Sequence, residues 1–232
     1  MIEREVARPR YNDRLHAGYE LAGDLHDFVG GQDPIVLAIP RGGVPVAAAI
    51  ANDFGAHLDL IIPRKIEAPN KPGMALGAIT PDRTMIINKA LVAKLRLSNA
   101  RVEELSIPVW AEVQRIQQLY RGSRPYPDLR GRTVVIVDDR LTTGYTMMAA
   151  VAAVRKMEPA RLVVAVPVAS LDALDRLRAY VDDVLSLEIA PEPDFPVSRY
   201  FAHSEPLSDQ EVIWTLEHFW SQRPPNGYSE TF

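Results

Sequence analysis

The run Val134-Val-Ile-Val-Asp-Asp-Arg-Leu-Thr-Thr-Gly-Tyr-Thr146 constrains the fold more than any other part of the chain. Four β-branched residues specify a short buried strand. Asp138 and Asp139 stand where that strand would end. Thr142, Thr143, Gly144, Tyr145 and Thr146 make a hydroxyl- and glycine-rich turn, and the Ala-rich segment 147–154 reads as a helix. Such a unit brings an acidic pair and a helix N-terminus to one strand end. The turn's N–H groups and the helix start favour an anion. Threonine hydroxyls donate to phosphate oxygens. Carboxylates accept hydrogen bonds from a ribose diol, or hold a hydrated Mg²⁺ nearby. The combination is a place to hold a sugar phosphate. A lone Asp-Asp after a strand is usually a solvated strand end, and a helix N-cap accounts for Thr142 or Thr143 alone. Neither explains the pair and the turn together.

The rest of the chain alternates apolar strands with helices. Helical spacing runs from Tyr11 to Val29 and stops at Gly30-Gly31. A strand is expected over Ile35–Ile39, a turn over Pro40–Val44 and a helix over Pro45–Phe54. Another strand covers Leu58–Ile62, a long loop Pro63–Gly77 and a short strand Met85–Ile87. Ala90–Tyr120 is mostly helical, with Pro108 expected to kink or split it. Beyond the opening motif come a strand at Leu162–Val166, a helix at Leu171–Tyr180 and a strand at Val184–Leu187. A Pro-rich loop, Ala190–Phe201, leads to a helix over Ser208–Trp220, opened by a capping box of Ser208 and Glu211.

This alternation predicts an α/β fold: a mostly parallel sheet with helices on both faces. Ligands of such sheets sit at the carboxyl ends of strands, near a switch in strand order. Pro40–Val44, Pro63–Gly77 and Asp138–Thr146 all lie at strand ends, which points to one site.

Composition removes several alternatives. The net charge of −4 gives no reason to expect nucleic acid as the main partner. Without cysteine, disulfides and thiolate metal sites are excluded. No apolar run is long enough to span a membrane. Met1–Arg10 is charged and lacks an apolar signal core, so a soluble, cytoplasmic protein is expected. His16, His26, His57, His203 and His218 are dispersed, without metal-ligand spacing. Neither a Gly-x-Gly-x-x-Gly turn nor a Gly-x-Ser-x-Gly elbow occurs, which disfavours dinucleotide binding and an α/β-hydrolase.

Val134–Thr146 resembles the phosphoribosyl-pyrophosphate (PRPP) signature of the type I phosphoribosyltransferases. The resemblance extends more weakly over about residues 11–213. Ile39-Pro-Arg-Gly-Gly-Val44, Arg64-Lys65, Leu76-Gly-Ala78 and Val164-Ala-Val-Pro-Val-Ala169 are similar to a group of predicted phosphoribosyltransferases with no settled acceptor. It implies that Asp138 and Asp139 hold the ribose 2′- and 3′-hydroxyls and stabilise positive charge on the sugar, with water-mediated contact to Mg²⁺. Thr142–Thr146 would cradle the 5′-phosphate. The reaction implied displaces pyrophosphate from the anomeric carbon by a nitrogen nucleophile, with Mg²⁺ helping pyrophosphate leave.

Arg41, Gly42 and Gly43 form the implied pyrophosphate loop, or else an ordinary strand-to-helix turn. Glycines let N–H groups approach a phosphate, and Arg41 offers a planar fork of donors. The family often has a cis non-proline peptide here, expected at Pro40–Arg41 or Arg41–Gly42. Pro63–Gly77 would be a mobile loop closing over PRPP, and its length favours a functional role. Lys65, then Arg64, would neutralise the departing pyrophosphate, and Lys71 near the loop tip would reach the site. Solvation of a strand end is the plainer reading of Arg64 and Lys65.

The implied architecture is a single domain over residues 1–220 with a helical insertion at 90–122, a C-terminal hood at 190–206 and a mobile tail at 221–232. Within the hood, Phe195 or Tyr200 would stack on a flat acceptor, or else pin the loop to the core. The insertion would be an oligomer contact, a lid or ordinary packing. Family members for 6-oxopurines carry an aspartate just before the threonine-glycine pair, where this chain has Thr142, so a 6-oxopurine acceptor is disfavoured. The expectation is a Mg²⁺- and PRPP-dependent enzyme acting on a small nitrogen heterocycle, homodimeric by family habit. A non-catalytic PRPP or nucleotide sensor, and a nucleotide hydrolase or phosphorylase at the same phosphate site, are the alternatives. No basic face or helix-turn-helix pattern favours a regulator.

Overall fold

The computed structural model describes residues 9–29 and 33–222. The charged start before residue 9, the helix stop at Gly30-Gly31 and the tail past residue 222 lie outside the described residues. In chain order the elements are α1 (Arg14–Val29), β1 (Ile35–Ala38), α2 (Gly43–Asp53), β2 (His57–Leu60), β3 (Arg64–Ala68), β4 (Lys71–Ile79) and β5 (Met85–Ile87). Then follow α3 (Lys89–Lys94), α4 (Asn99–Arg121), β6 (Thr133–Val137), α5 (Tyr145–Arg155), β7 (Arg161–Ser170), α6 (Leu171–Leu177), β8 (Asp183–Ala190) and α7 (Asp209–Gln222).

A five-stranded parallel sheet, ordered β2-β1-β6-β7-β8, forms the centre. Its three inner strands, β1, β6 and β7, read as nearly continuous apolar runs because both faces are covered. Successive side chains point to opposite faces, and the two cores divide accordingly. Val36, Ala38, Val135 and Val137 face Leu21 and Leu25 of α1 and the alanines of α2. Ile35, Leu37, Val134 and Ile136 face Val151 and Val154 of α5 and Leu177 of α6. The chain lays β2 on one side of β1 and later returns with β6 on the other. Strand order therefore reverses between β1 and β6, where open α/β sheets bind ligands.

Two expectations are corrected. Pro63–Gly77 is not a structureless loop: β3 and β4 pair antiparallel and β5 extends them into a second, three-stranded sheet. Ile66 and Ala68 are buried while Lys65 and Glu67 are exposed, the alternation of a half-covered strand. Prolines and Gly73 suggested a loop, but Pro69 sits at the turn with left-handed Asn70, and register shifts near Glu67 absorb the irregularity. Pro108 does not split the helical insertion either. The break falls at residues 95–98, where the Ser98 hydroxyl accepts from the Arg101 N–H at 3.1 Å. Pro108 and Glu104 are both exposed, so the proline lies on the solvent side of α4, where the helix best tolerates the backbone donor it lacks.

The insertion packs on the hairpin. Trp110 Nε1 and Gln114 Nε2 both donate to the Pro81 carbonyl, at 2.9 and 2.8 Å. The Tyr120 hydroxyl donates to Asp209 Oδ1 at 2.5 Å, joining α4 to α7. At the start of α7 the capping box forms as expected. The Glu211 N–H donates to Ser208 Oγ at 3.2 Å, and the Ser208 N–H donates to Glu211 Oε2 at 2.7 Å. Among the described residues no helix is long and apolar enough to cross a membrane.

Gly77 is where the second sheet is tightest. A Cβ there would overlap the Ile86 carbonyl oxygen on β5 and approach Ile87 to about 2.9–3.0 Å. Gly77→Ala should therefore cost about 1–3 kcal/mol by forcing β4 and β5 apart. Urea unfolding measures this, and a loss below roughly 0.5 kcal/mol, the level of an ordinary surface change, would contradict such close packing.

Candidate active site

β1 and β6 are in register, with Ala38 beside Val137, so the segments that follow them emerge together. The Ile39 N–H donates to the Val137 carbonyl at 2.8 Å and holds them in line. A cavity of about 450 Å³ opens there. Its walls are Ile39 and Pro40 after β1, Pro63, Arg64, Lys65 and Glu67 at the hairpin, and Asp138–Met147 apart from Tyr145.

The turn after β6 is pinned from outside. The Leu141 N–H donates to the Val168 carbonyl and the Ser170 N–H to the Leu141 carbonyl, both at 2.8 Å. Ser170 Oγ donates to the Thr142 carbonyl at 2.6 Å, and an Arg176 guanidinium N–H donates to the Thr143 carbonyl at 2.9 Å. Gly144 then takes φ +82° and caps α5. The first N–H groups of α5 lack intrahelical acceptors, so they remain for an anion. Thr142, Thr143, Gly144 and Thr146 line the cavity. Thr146 Oγ1 is buried and has no hydrogen-bond partner among the described residues. A buried hydroxyl ordinarily has one, so a ligand oxygen is the natural partner. Tyr145 turns aside, its ring 5.7 Å from the Arg176 guanidinium.

Both acidic residues line the cavity, but in different states of attachment. Asp139 is buried and paired with Arg14 of α1, whose Nε donates to Asp139 Oδ2 at 2.9 Å. Asp138 accepts the Asp139 N–H at 2.8 Å through Oδ1. Burial, and then the neighbouring Asp139 charge, push the Asp138 carboxyl well above the usual carboxylate range, against the pull of Arg140 and Lys65.

The loop after β1 serves this pair. Its Pro40–Arg41 peptide bond is cis. A Cβ on Gly42 would overlap the Asp139 carboxylate, and one on Gly43 would stand 2.6 Å from the Val137 carbonyl oxygen and 2.9 Å from Asp138 Cα. Both glycines are required by close approach to β6 and its acids. The Gly43 N–H is already donated to the Ile39 carbonyl at 3.1 Å. Arg41 is exposed and lies 3.7 Å from Asp209 of α7, outside the cavity lining. Arg64 and Lys65 do reach the cavity, whereas Lys71, at the exposed start of β4, does not.

The hood at residues 190–206 is tied to the N-terminal segment. The Tyr11 N–H donates to the Tyr200 carbonyl at 2.8 Å, and the Ala202 N–H to the Tyr11 carbonyl at 2.9 Å. Phe195 is only 3% exposed, packed with Tyr11, Ala17, Val168 and Phe201. Tyr200 meets it edge-on at 5.3 Å. Neither ring lines the cavity, and Phe195 serves the hood's own packing.

Three residues near the site escaped the sequence reading. Arg14 gave no signal, since an arginine at a helix start reads as a solvent-facing charge. Arg176 likewise reads as the polar face of a short helix. Arg140 did carry a signal, a cation between the acidic pair and the threonine-glycine turn. It lines the cavity and donates to the Phe195 carbonyl at 3.2 Å.

Comparison with known proteins agrees with this geometry. Two curated proteins from Mycobacterium tuberculosis strains, each named a putative phosphoribosyl transferase, are 35% identical over 207 residues, 89% of this chain. The chain spans about half the length of those relatives, 46%. The crystal structure of TT1426 from Thermus thermophilus superposes with a TM-score of 0.76 at 34% identity, covering 90% of this chain and 99% of that one. The AQ2163 protein from Aquifex aeolicus shares the fold at 13% identity, with a TM-score of 0.50 and coverage of 82% and 86%. Residues 11–199, which hold the whole cavity, match the phosphoribosyl transferase domain, and the chain belongs to that family.

Proposed function

We propose that this chain is a PRPP-dependent phosphoribosyltransferase that joins a nitrogen heterocycle, other than a 6-oxopurine, to C1 of the ribose and releases pyrophosphate. The observation that carries the reading is the cavity at the strand-order switch. There an acidic pair stands beside a helix N-terminus whose buried Thr146 hydroxyl has no protein partner among the described residues.

In this reading the Thr142–Thr146 turn holds the 5′-phosphate and Asp138 and Asp139 accept from the ribose hydroxyls. The C1–oxygen bond to pyrophosphate breaks ahead of C1–nitrogen bonding, the carboxylates stabilise the positive charge that develops on the sugar in between, and the proton of the attacking ring nitrogen leaves to solvent. Arg64 and Lys65, on the rim, neutralise the departing pyrophosphate. Mg²⁺ bound to pyrophosphate would make it a better leaving group, and the cavity-facing carboxylates suit contact with it through water. Arg14 keeps Asp139 at a fixed place, so the sugar meets a preorganised acceptor. The acceptor enters between the acidic pair and the hood.

The test is pyrophosphate release from PRPP and Mg²⁺ against pooled nucleobases and related heterocycles. Release should depend on the pool and fall by about 10²–10³ in Asp139→Asn, as for loss of one preorganised charge-stabilising group. Thermal unfolding of the variant checks that it is folded. Release that is independent of the pool, or equal in the variant, rules this chemistry out.

A further inference from the structure

Arg41 stands next to the cavity without entering it. It follows Pro40, which lines the cavity, yet its own guanidinium lies outside, with Nη1 3.7 Å from Asp209 Oδ1. Both side chains are about half exposed, so the pair can part and re-form. Among the described residues Arg41 is the only cation in ion-pair range of Asp209. Arg115 of α4 also feels the Asp209 charge, but it donates twice to Glu112, at 2.8 Å each.

Asp209 is itself held in place. It is the first residue of α7, and the Tyr120 hydroxyl of α4 donates to the same Oδ1 at 2.5 Å. Burial, and then the Asp209 contact, push the Tyr120 hydroxyl up, so it remains a donor at neutral pH. The insertion and the C-terminal helix thus fix one carboxylate beside the loop between β1 and α2. A fixed carboxylate captures a cation more readily than a free one, because less side-chain freedom is left to lose. An acidic residue at a helix start ordinarily serves the helix's own N–H groups. That role explains neither the Tyr120 bond nor the capture of Arg41.

We infer that Asp209 is a positioning residue that holds Arg41 outside the cavity and competes with pyrophosphate for it, which favours release of that product. This rests on the phosphoribosyltransferase reading above and adds a step to it. Pyrophosphate in the cavity draws Arg41 from Asp209, and Asp209 recaptures Arg41 as pyrophosphate leaves. The affinity seen for pyrophosphate is lowered by the fraction of molecules in which Arg41 is captured.

Calorimetric titration of pyrophosphate with Mg²⁺, and separately of ribose 5-phosphate, into wild type, Asp209→Asn, Arg41→Ala and the double variant tests this. Asparagine keeps an oxygen for the Tyr120 hydroxyl and loses only the charge, and melting scans check that each variant is folded. Asp209→Asn should bind pyrophosphate about two- to five-fold more tightly, the range of an exposed ion pair. Arg41→Ala should bind it roughly ten-fold more weakly, the scale of a charge-assisted hydrogen bond. In the Arg41→Ala background, Asp209→Asn should change nothing. Ribose 5-phosphate, which has no pyrophosphate group, should bind all four proteins alike. Unchanged or weaker pyrophosphate binding in Asp209→Asn overturns the inference, as does a gain that persists without Arg41. An equal gain for ribose 5-phosphate also overturns it, since loss of one negative charge would then act on any anion. If the wild type binds ribose 5-phosphate but not pyrophosphate, this inference fails while the phosphate turn stands. If it binds neither, the parent reading fails first.

Discussion

Arg14→Ala should destabilise the protein by about 3–5 kcal/mol, the usual cost of removing one partner of a buried ion pair. Arg14 and Asp139 have side chains only 10% exposed each, with Nε 2.9 Å from Oδ2. Without the guanidinium, the Asp139 carboxylate is left against Gly42 and next to Asp138, in a place with little water. The same side chain does two further jobs. One guanidinium N–H donates to the Glu205 carbonyl at 3.1 Å, and the group lies 5.8 Å from the Phe201 ring. Arg14 therefore joins α1, the acidic pair and the end of the hood at one point. In a chain of this length each kcal/mol moves the midpoint by roughly 2–4 °C, so the loss is readily seen in a thermal scan. Arg14→Lys should recover only part, because an ammonium cannot serve Asp139 and Glu205 with a fork. A double mutant with Asp139→Asn should be much less damaging than the sum, since the second change removes the charge the first one stranded. If Arg14→Ala costs under about 1 kcal/mol, the level of an exposed pair, Arg14 does not anchor the acidic pair.

The difference between Arg14 and the β6 motif explains what was readable in the sequence. From Val134 to Thr146 the strand, the acids, the turn and the helix start are consecutive, so covalent geometry alone sets them side by side. Their chemistry could be read before any tertiary contact was known. Arg14 meets Asp139 across 125 residues, and helical periodicity does not reveal which charge at a helix start will be buried. The parallel sheet was legible because strands covered on both faces must be apolar throughout. The β3–β4 hairpin was not, because Pro63, Pro69 and Gly73 outweighed a short alternation in which only Ile66 and Ala68 are buried. Arg41 shows the limit for direction. Its place after β1 was evident, but the pull of Asp209 from α7 was not. Gly42 and Gly43 were read as openings for phosphate, while the structure adds that a side chain there would collide with the acids and with β6.

Asp138→Asn should make the protein more stable near neutral pH and much less able to turn over PRPP. The stability half follows from linkage. Burial and the Asp139 charge raise the folded-state carboxyl of Asp138 above its ordinary value, which is about 3.9 in an unfolded chain. Between those two values the unfolded chain has released a proton that the native state keeps. Unfolding then releases a proton, so stability falls as pH rises through that window, and the penalty persists in full above it. Asparagine cannot ionise, yet its oxygen can still accept the Asp139 N–H that Asp138 Oδ1 accepts at 2.8 Å. The variant should therefore have the higher melting temperature above the window. The gap should close as pH falls toward the ordinary carboxylate range, where both side chains are neutral. The activity half follows from the proposed chemistry. A neutral amide at Asp138 stabilises a positively charged sugar poorly, and turnover should drop by about 10²–10³. The two halves belong together: a carboxylate kept in a place that disfavours its charge is retained against its cost to the fold, which is what a site that must meet a cation would require. Melting curves of both proteins across the acidic and neutral range, beside pyrophosphate release at neutral pH, read both halves. A gap that widens toward low pH would refute the raised carboxyl, and unchanged release would remove Asp138 from the reacting centre.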